Sequence, residues 1–139
     1  MVDSSALEMR QAARSREFES HRLRSMKSFS GVIQKGAEHG RLLGYPTINI
    51  PLTDEHISGV YAARVTIGDS APYMAAAFGD SRRGLLEAYI LDFSDDLYGS
   101  SVRIDLYTKL REAKKFETTD DLKSAIAADV EAVRQYFHI

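Results

Sequence analysis

The sequence predicts a mainly β fold, a closed or nearly closed antiparallel barrel of six strands with an amphipathic C-terminal helix and a helical N-terminal lead-in. Three observations carry this prediction. Six short β-rich runs alternate with Gly, Pro, Asp and Ser between positions 29 and 110. One apolar stripe with helical spacing follows them. The first 28 residues contain no Gly or Pro, and a chain of 139 residues is the size of one ordinary domain.

Composition excludes several classes of protein. With 18 basic and 20 acidic residues, the net charge of −2 does not predict binding to nucleic acid. The chain has no cysteine, which excludes disulfides and thiolate chemistry. No apolar run approaches the roughly 20 residues of a membrane span. The N-terminal segment is charged throughout, unlike a signal peptide, so we expect a cytoplasmic protein.

The N-terminal segment differs from the rest of the chain. Residues 3–27 are rich in Ala, Glu, Arg and Met, which favour helices, and Asp3 or the serines after it would cap a helix start. Apolar positions are sparse here, so this segment is either one or two loosely docked helices or an ordered linker. We therefore expect a lead-in over residues 1–28 and the barrel domain over residues 29–139.

The six β-rich runs define the predicted strands. Closure of these short strands into a barrel would protect their edges. In the last run, Val102, Ile104 and Leu106 alternate with polar residues or Tyr, the period-two pattern of a strand with one buried face. The predicted strands are Phe29–Gln34, Tyr45–Ile50, Gly59–Ile67, Tyr73–Phe78, Leu85–Phe93 and Ser101–Leu110.

The last segment predicts a helix. Thr118 or Thr119 would cap its start, and Asp120 and Asp121 would lie in the first turn, where the helix dipole favours acidic residues. The apolar stripe is formed by Leu122, Ile126, Val130, Val133 and Phe137. This stripe predicts packing over the barrel wall or one of its ends.

The segment Lys35–Asn49 is the first candidate for chemistry. Gly36, Gly40 and Gly44 recur every four residues between two predicted strands. Glycines let backbone N–H groups approach an anion closely and form a concave nest, although a flexible hairpin loop would have the same composition.

The string Pro46-Thr47-Ile48-Asn49 follows directly. In an extended chain Thr47 and Asn49 point to the same face. A hydroxyl beside an amide oxygen suits Mg²⁺ bound to a nucleotide, whose phosphates and waters supply the other ligands. The alternative is that both side chains satisfy only the backbone of a turn.

Two further residues are candidates. Glu87 lies in an otherwise apolar run, and glutamate is depleted in strands, so it is either an exposed strand residue or a base that accepts a proton from an alcohol. Arg111 follows the last strand and would face phosphate or stack on a ring, or else belong to a charged surface with Lys114 and Lys115.

Five blocks together resemble the riboflavin kinase family. The string GRLLGYPTINI resembles that family's G-R-x-L-G-[FY]-P-T-x-N motif. It is followed in the family's order by GVYA, LEAYILDFSDDLYG, LYTKLREAKKF and a helix that opens with TTDDL. The resemblance covers about residues 29–137.

The resemblance implies a six-stranded Greek-key (split) barrel that phosphorylates riboflavin with Mg²⁺ and ATP to give FMN. Thr47 and Asn49 would hold the metal with the ATP phosphates, and Glu87 would act as general base toward the ribityl hydroxyl. Arg111 would lie in the loop that closes over the flavin. The implied nucleotide-binding set is Gly36, Gly40, Arg41, Gly44, Pro46, Thr47 and Asn49.

Two features qualify the resemblance. Residues 4–23 look like the tail of the FMN adenylyltransferase domain that precedes the kinase in bacterial bifunctional enzymes, but that domain itself is absent, so FAD synthesis is not expected. The loop Gly79–Gly84 is shorter than is usual in the family, and it carries Arg82 and Arg83. We expect a monomeric enzyme whose partners are riboflavin and ATP. The alternative is a flavin- or nucleotide-binding barrel that has lost turnover.

Overall fold

The structure, a computed structural model, describes residues 25–34, 44–93 and 97–138. Within these ranges it contains six strands followed by one helix, which confirms the predicted mainly β class. The elements are β1 (Lys27–Val32), β2 (Ile48–Pro51), β3 (Gly59–Ile67), β4 (Tyr73–Asp80), β5 (Leu85–Ile90), β6 (Ser101–Arg111) and α1 (Thr119–Tyr136). The helical lead-in predicted for residues 1–28 lies outside the described residues up to position 24.

The strands form one antiparallel sheet that curls into a nearly closed barrel. Its hydrogen-bonded order is β1-β6-β3-β4-β5-β2. Strands β3, β4 and β5 form a meander and β6 returns beside β3, which is the Greek-key arrangement. The two edge strands meet where the N–H of Gln34 donates to the carbonyl of Asn49 at 2.7 Å.

Pairing with neighbouring strands shifts several predicted strand ends. Strand β1 begins at Lys27, two residues earlier than predicted, because Lys27 and Ser28 pair with β6. Strand β2 begins only at Ile48, since pairing with β5 starts there. Strand β5 ends at Ile90, before Asp92 turns the chain with φ 57°. Pro51 is tolerated in β2 because this strand lies at the edge of the sheet.

The alternation of β5 separates the barrel core from the outer face. Leu86, Ala88 and Ile90 are buried in the barrel interior, so the residues between them point outward. The same interior receives Ile33, which follows β1, and aliphatic residues from the other strands, including Ile50, Val65, Ala75, Ile104 and Leu106.

Helix α1 packs against the outer face of β3 and β4. Its start is capped as predicted, because the Thr118 side chain accepts a hydrogen bond from the N–H of Asp121 at 3.0 Å. Val133 and Phe137 form a second small core with Ala62 and Leu91 outside the barrel. The helix therefore covers part of the outer wall, and the candidate site lies beside it.

Candidate active site

Glu87 and Asn49 meet on the outer face of the barrel. The β2–β5 register pairs them directly, and residues directly opposite each other in an antiparallel pair share one face of the sheet. The side chain of Glu87 is 16% exposed, so it is not the freely solvated strand glutamate of the alternative interpretation. Two candidates that are 38 positions apart in the sequence are thus adjacent in the fold.

Thr47 completes this cluster from the residue before β2. Its Oγ1 lies 3.4 Å from Oε1 of Glu87, at the long end of hydrogen-bond distance. Pro46 fixes φ just ahead of it. The structure therefore brings together the hydroxyl, the carboxamide and the carboxylate that the sequence singled out.

Asn49 carries a buried oxygen without a partner. The residue is 3% exposed, and among the described residues its Oδ1 has no hydrogen-bond donor. A buried polar atom normally has a partner, so an orphaned oxygen in a site requires an explanation. A hard cation such as Mg²⁺ accepts amide and hydroxyl oxygens as ligands. Asn49 and Thr47 thus fit a magnesium ion on their donor chemistry.

Burial raises the pKa of Glu87 above the usual value of a glutamate. Desolvation is the largest cause, and the charge of Asp80 acts in the same direction. The charge of Arg83 and the hydrogen bond from Thr47 oppose it by stabilising the carboxylate. A glutamate with a raised pKa is a stronger proton acceptor than a solvated one, as a general base requires.

A cavity of about 340 Å³ lies in front of this cluster, between the outer wall, α1 and the chain that follows β6. This volume lies in the range of small-molecule sites. Thr47 and Glu87 line its polar end. The remaining wall is largely aromatic and apolar, and it includes Tyr45, Val60, Phe78, Tyr89, Phe116, Leu122 and Ile126. Tyr45 and Tyr89 pack edge to face with ring centroids 5.2 Å apart.

Arg111 lines the cavity but its guanidinium already has a partner. Nε and Nη2 donate to the two carboxylate oxygens of Asp129 at 2.8 Å each, and Nη1 donates to the carbonyl of Glu112. Because Asp129 is buried, Arg111 forms an ion pair at the wall of the cavity and is not only a solvated surface charge. The ring of Phe116 lies 5.7 Å from the guanidinium, so the plane of Arg111 is a surface for stacking more than a free donor.

Asp129 is a residue of this site that the sequence did not predict. This residue lies three positions after Ile126 and four before Val133, on the apolar stripe of α1. An acidic residue on a buried stripe needs a cationic partner. The position of Asp129 on this stripe was therefore a signal in the sequence that an arginine or lysine lies close to the helix.

Gly59 sets the position of Arg111. Its φ is 95°, and a Cβ at this position would lie 2.5 Å from the carbonyl oxygen of Arg111. A glycine is required because any side chain would collide with the end of β6. The β3–β6 register also shifts between Val60 and Tyr61. Such bulges change the direction of nearby side chains and are common next to active sites.

Part of the predicted nucleotide-binding set lies outside the described residues, namely Gly36, Gly40 and Arg41. Gly44 is exposed with φ 87° and leads into Tyr45, Pro46 and Thr47. The described half of this segment therefore reaches the polar end of the cavity.

The chain matches known proteins over most of its length. The family model described as flavokinase, riboflavin kinase, matches residues 23–137. A bifunctional riboflavin kinase/FMN adenylyltransferase of Buchnera aphidicola is 34% identical over 122 residues, which are 81% of this chain and 39% of that protein. The chain thus spans well under half the length of this curated relative.

Two solved structures share the fold. A riboflavin kinase from Trypanosoma brucei superimposes with a TM-score of 0.64 at 24% identity, over 80% of this chain and 76% of that one. A structure titled macrolide-efflux protein from Streptococcus pneumoniae has a TM-score of 0.66 at 32% identity, over 77% of this chain and 38% of that one. Among the described residues, no helix has the length and apolarity needed to cross a membrane.

Proposed function

Since this chain belongs to the riboflavin kinase family, we propose that it transfers the γ-phosphoryl group of Mg–ATP to the 5′-hydroxyl of the ribityl chain of riboflavin, giving FMN and ADP. The observation that carries this proposal is the position of Glu87, paired with Asn49 and 3.4 Å from the Thr47 hydroxyl at the polar end of a cavity. A pure binding site has no need of a base beside the metal ligands.

Each residue of the cluster has a role in this reaction. Glu87 orients the ribityl hydroxyl and accepts its proton as the new P–O bond forms. Thr47 and Asn49 would hold Mg²⁺, which when bound neutralises charge on the ATP phosphates. Most of the rate enhancement comes from holding the hydroxyl in line with the phosphoryl group and from neutralising its charge.

The apolar part of the cavity is suited to the ring system of a flavin. Its aromatic and aliphatic walls would exclude water from the ring, and the Arg111 plane beside Phe116 would contact it by stacking. Gly36, Gly40, Arg41, Gly44 and Pro46 would form the flap over the nucleotide. These assignments follow from the family resemblance, with the lining of the cavity in support.

We propose further that residues 29–139 are the kinase domain and that residues 1–28 form a helical lead-in or linker. The domain would act as a cytoplasmic monomer with riboflavin and ATP as its partners and without nucleic acid or membrane. FAD synthesis is not proposed for this chain, because its matches lie in the kinase part of longer bifunctional relatives.

The test is incubation with riboflavin, ATP and Mg²⁺, followed by chromatography that separates riboflavin, FMN and FAD. We expect FMN without FAD. We expect Glu87→Gln to bind riboflavin like the wild type and to lose roughly 10²- to 10⁴-fold in turnover, the usual contribution of a general base. Flavin binding without FMN formation by the wild type would support the alternative, a binding barrel that has lost turnover.

A further inference from the structure

The short connection between β4 and β5 fixes Arg83 at the rim of the cavity. Strand pairing continues to Asp80 and Leu85, which leaves four residues for the turn. Gly84 takes φ 66°, and the N–H of Arg83 donates to Oδ1 of Asp80 at 3.2 Å. The backbone of Arg83 is therefore held in one place, and its side chain lines the cavity.

Within the described part of the chain, the guanidinium of Arg83 makes two long ion pairs. Its Nη1 lies 3.8 Å from Oδ2 of Asp80 and 3.9 Å from Oε2 of Glu87, both beyond hydrogen-bond distance. The side chain is half exposed. Arg111, in contrast, makes two hydrogen bonds of 2.8 Å with a buried carboxylate. Arg83 can therefore exchange its weak ion pairs for a stronger anion at little cost.

Glu87 lies between Arg83 and the metal ligands. Its Oε1 faces the hydroxyl of Thr47, and its Oε2 faces Arg83. A hydroxyl group bound to this carboxylate would have Thr47 on one side and Arg83 on the other. The phosphoryl group that this hydroxyl attacks must lie within a few ångströms of it, and thus within reach of a flexible arginine side chain.

We infer that Arg83 is a further catalytic residue, which leaves Asp80 and Glu87 when nucleotide binds and donates hydrogen bonds to the γ-phosphoryl oxygens during transfer. This inference rests on the proposed function. In the step, a bond forms between the ribityl oxygen and the γ-phosphorus, and the bond from the γ-phosphorus to the β,γ-bridging oxygen breaks. The hydroxyl proton passes to Glu87 and ADP leaves with the bond electrons.

The move would bring positive charge to the phosphoryl group during its transfer. A planar cation with several donors matches the charge that spreads over the phosphoryl oxygens in the transition state.

The experiment compares Arg83→Gln with Arg82→Gln. Arg82 is the adjacent exposed arginine and does not line the cavity, so both variants remove one positive charge from the same turn. Calorimetry with Mg²⁺ measures the affinity for ADP and for a non-hydrolysable ATP analogue, and FMN formation gives kcat and KM. Thermal melts confirm that both variants are folded.

We expect Arg83→Gln to bind ADP like the wild type, to bind the ATP analogue roughly tenfold or more weakly, and to lose at least as much in kcat. Arg83→Lys should restore part of the affinity for the analogue. The inference is overturned if the wild type forms FMN and Arg83→Gln matches Arg82→Gln in kcat and in the ratio of the two affinities. A wild type that forms no FMN overturns the proposed function itself, and this inference with it.

Discussion

The partly buried pair between Arg111 and Asp129 offers the sharpest test of how this site is held together. Replacing Asp129 by Asn keeps the shape of the side chain but removes its charge. One of the two oxygens that accept from Arg111 at 2.8 Å becomes an NH₂ group that faces another donor. The variant therefore leaves a guanidinium with one hydrogen bond fewer and no counter-charge.

The expected loss follows from the burial of the two partners. Removing one partner of a fully buried ion pair costs roughly 3–5 kcal/mol. Asp129 is 8% exposed, but the Arg111 side chain is 31% exposed, so water can solvate part of the guanidinium charge in the variant. We therefore expect the free energy of unfolding to fall by about 2 kcal/mol. This loss corresponds to a decrease in Tm of about 8 °C for a domain of this size.

A matched control is available in the same helix. Arg134 also donates two hydrogen bonds to a carboxylate, from Nη1 and Nη2 to Asp92 at 3.1 and 2.9 Å, but the Asp92 side chain is 70% exposed. Asp92→Asn should therefore change the unfolding free energy little, because exposed ion pairs contribute little.

Urea denaturation followed by far-UV circular dichroism measures both variants, since the chain has no tryptophan to report by fluorescence. If Asp129→Asn is as stable as the wild type, or if Asp92→Asn loses as much, burial is not what gives the Arg111 pair its strength. The assignment of Arg111 as a fixed wall of the cavity would then fail.

The remaining predictions concern the site and its frame. Burial raises the pKa of Glu87, so the stabilising contribution of this residue is present at acid pH and is lost as the pH rises through the folded-state pKa. The Tm of Glu87→Gln should therefore rise relative to that of the wild type between pH 4 and pH 8. A constant difference in Tm across that range would contradict the desolvation argument. Thr47→Ala should weaken Mg²⁺-dependent ADP binding by about tenfold in calorimetry, whereas Thr47→Ser should retain it, and equal affinities in both variants would remove the hydroxyl from the metal site. Gly59→Ala should lose about 2 kcal/mol or more in urea denaturation, because its Cβ would lie 2.5 Å from the Arg111 carbonyl, and an unchanged midpoint would show that β6 can move aside.

Sequence patterns predicted the elements better than their ends. The period-two alternation in β6 and the Thr118 cap of α1 are local features, so they could be read directly. The start of β1 and the end of β5 depend on which neighbouring strand supplies hydrogen-bond partners. Such pairing joins residues far apart in the chain, and no local pattern reports it.

The candidate site shows the same division. Three residues stood out because their hydroxyl, amide and carboxylate groups interrupt β-rich runs, namely Thr47, Asn49 and Glu87. Their joint occurrence in the order typical of the family supported the assignment of each one to the site. Arg111 was found as well, but its ion pair with Asp129 was not. The partner lies 18 positions away on a helix whose docking face was not known in detail.

The sequence by itself determined the fold class, the order of the strands along the chain, the capped helix and the hydroxyl, amide and carboxylate groups of the candidate site. Only the tertiary structure decided that Asn49 lies opposite Glu87, that Arg111 is held by Asp129 and that Arg83 reaches the cavity rim. The reason is physical. Side-chain type and spacing are local properties of a chain, whereas burial, register and counter-charges arise when distant segments pack together.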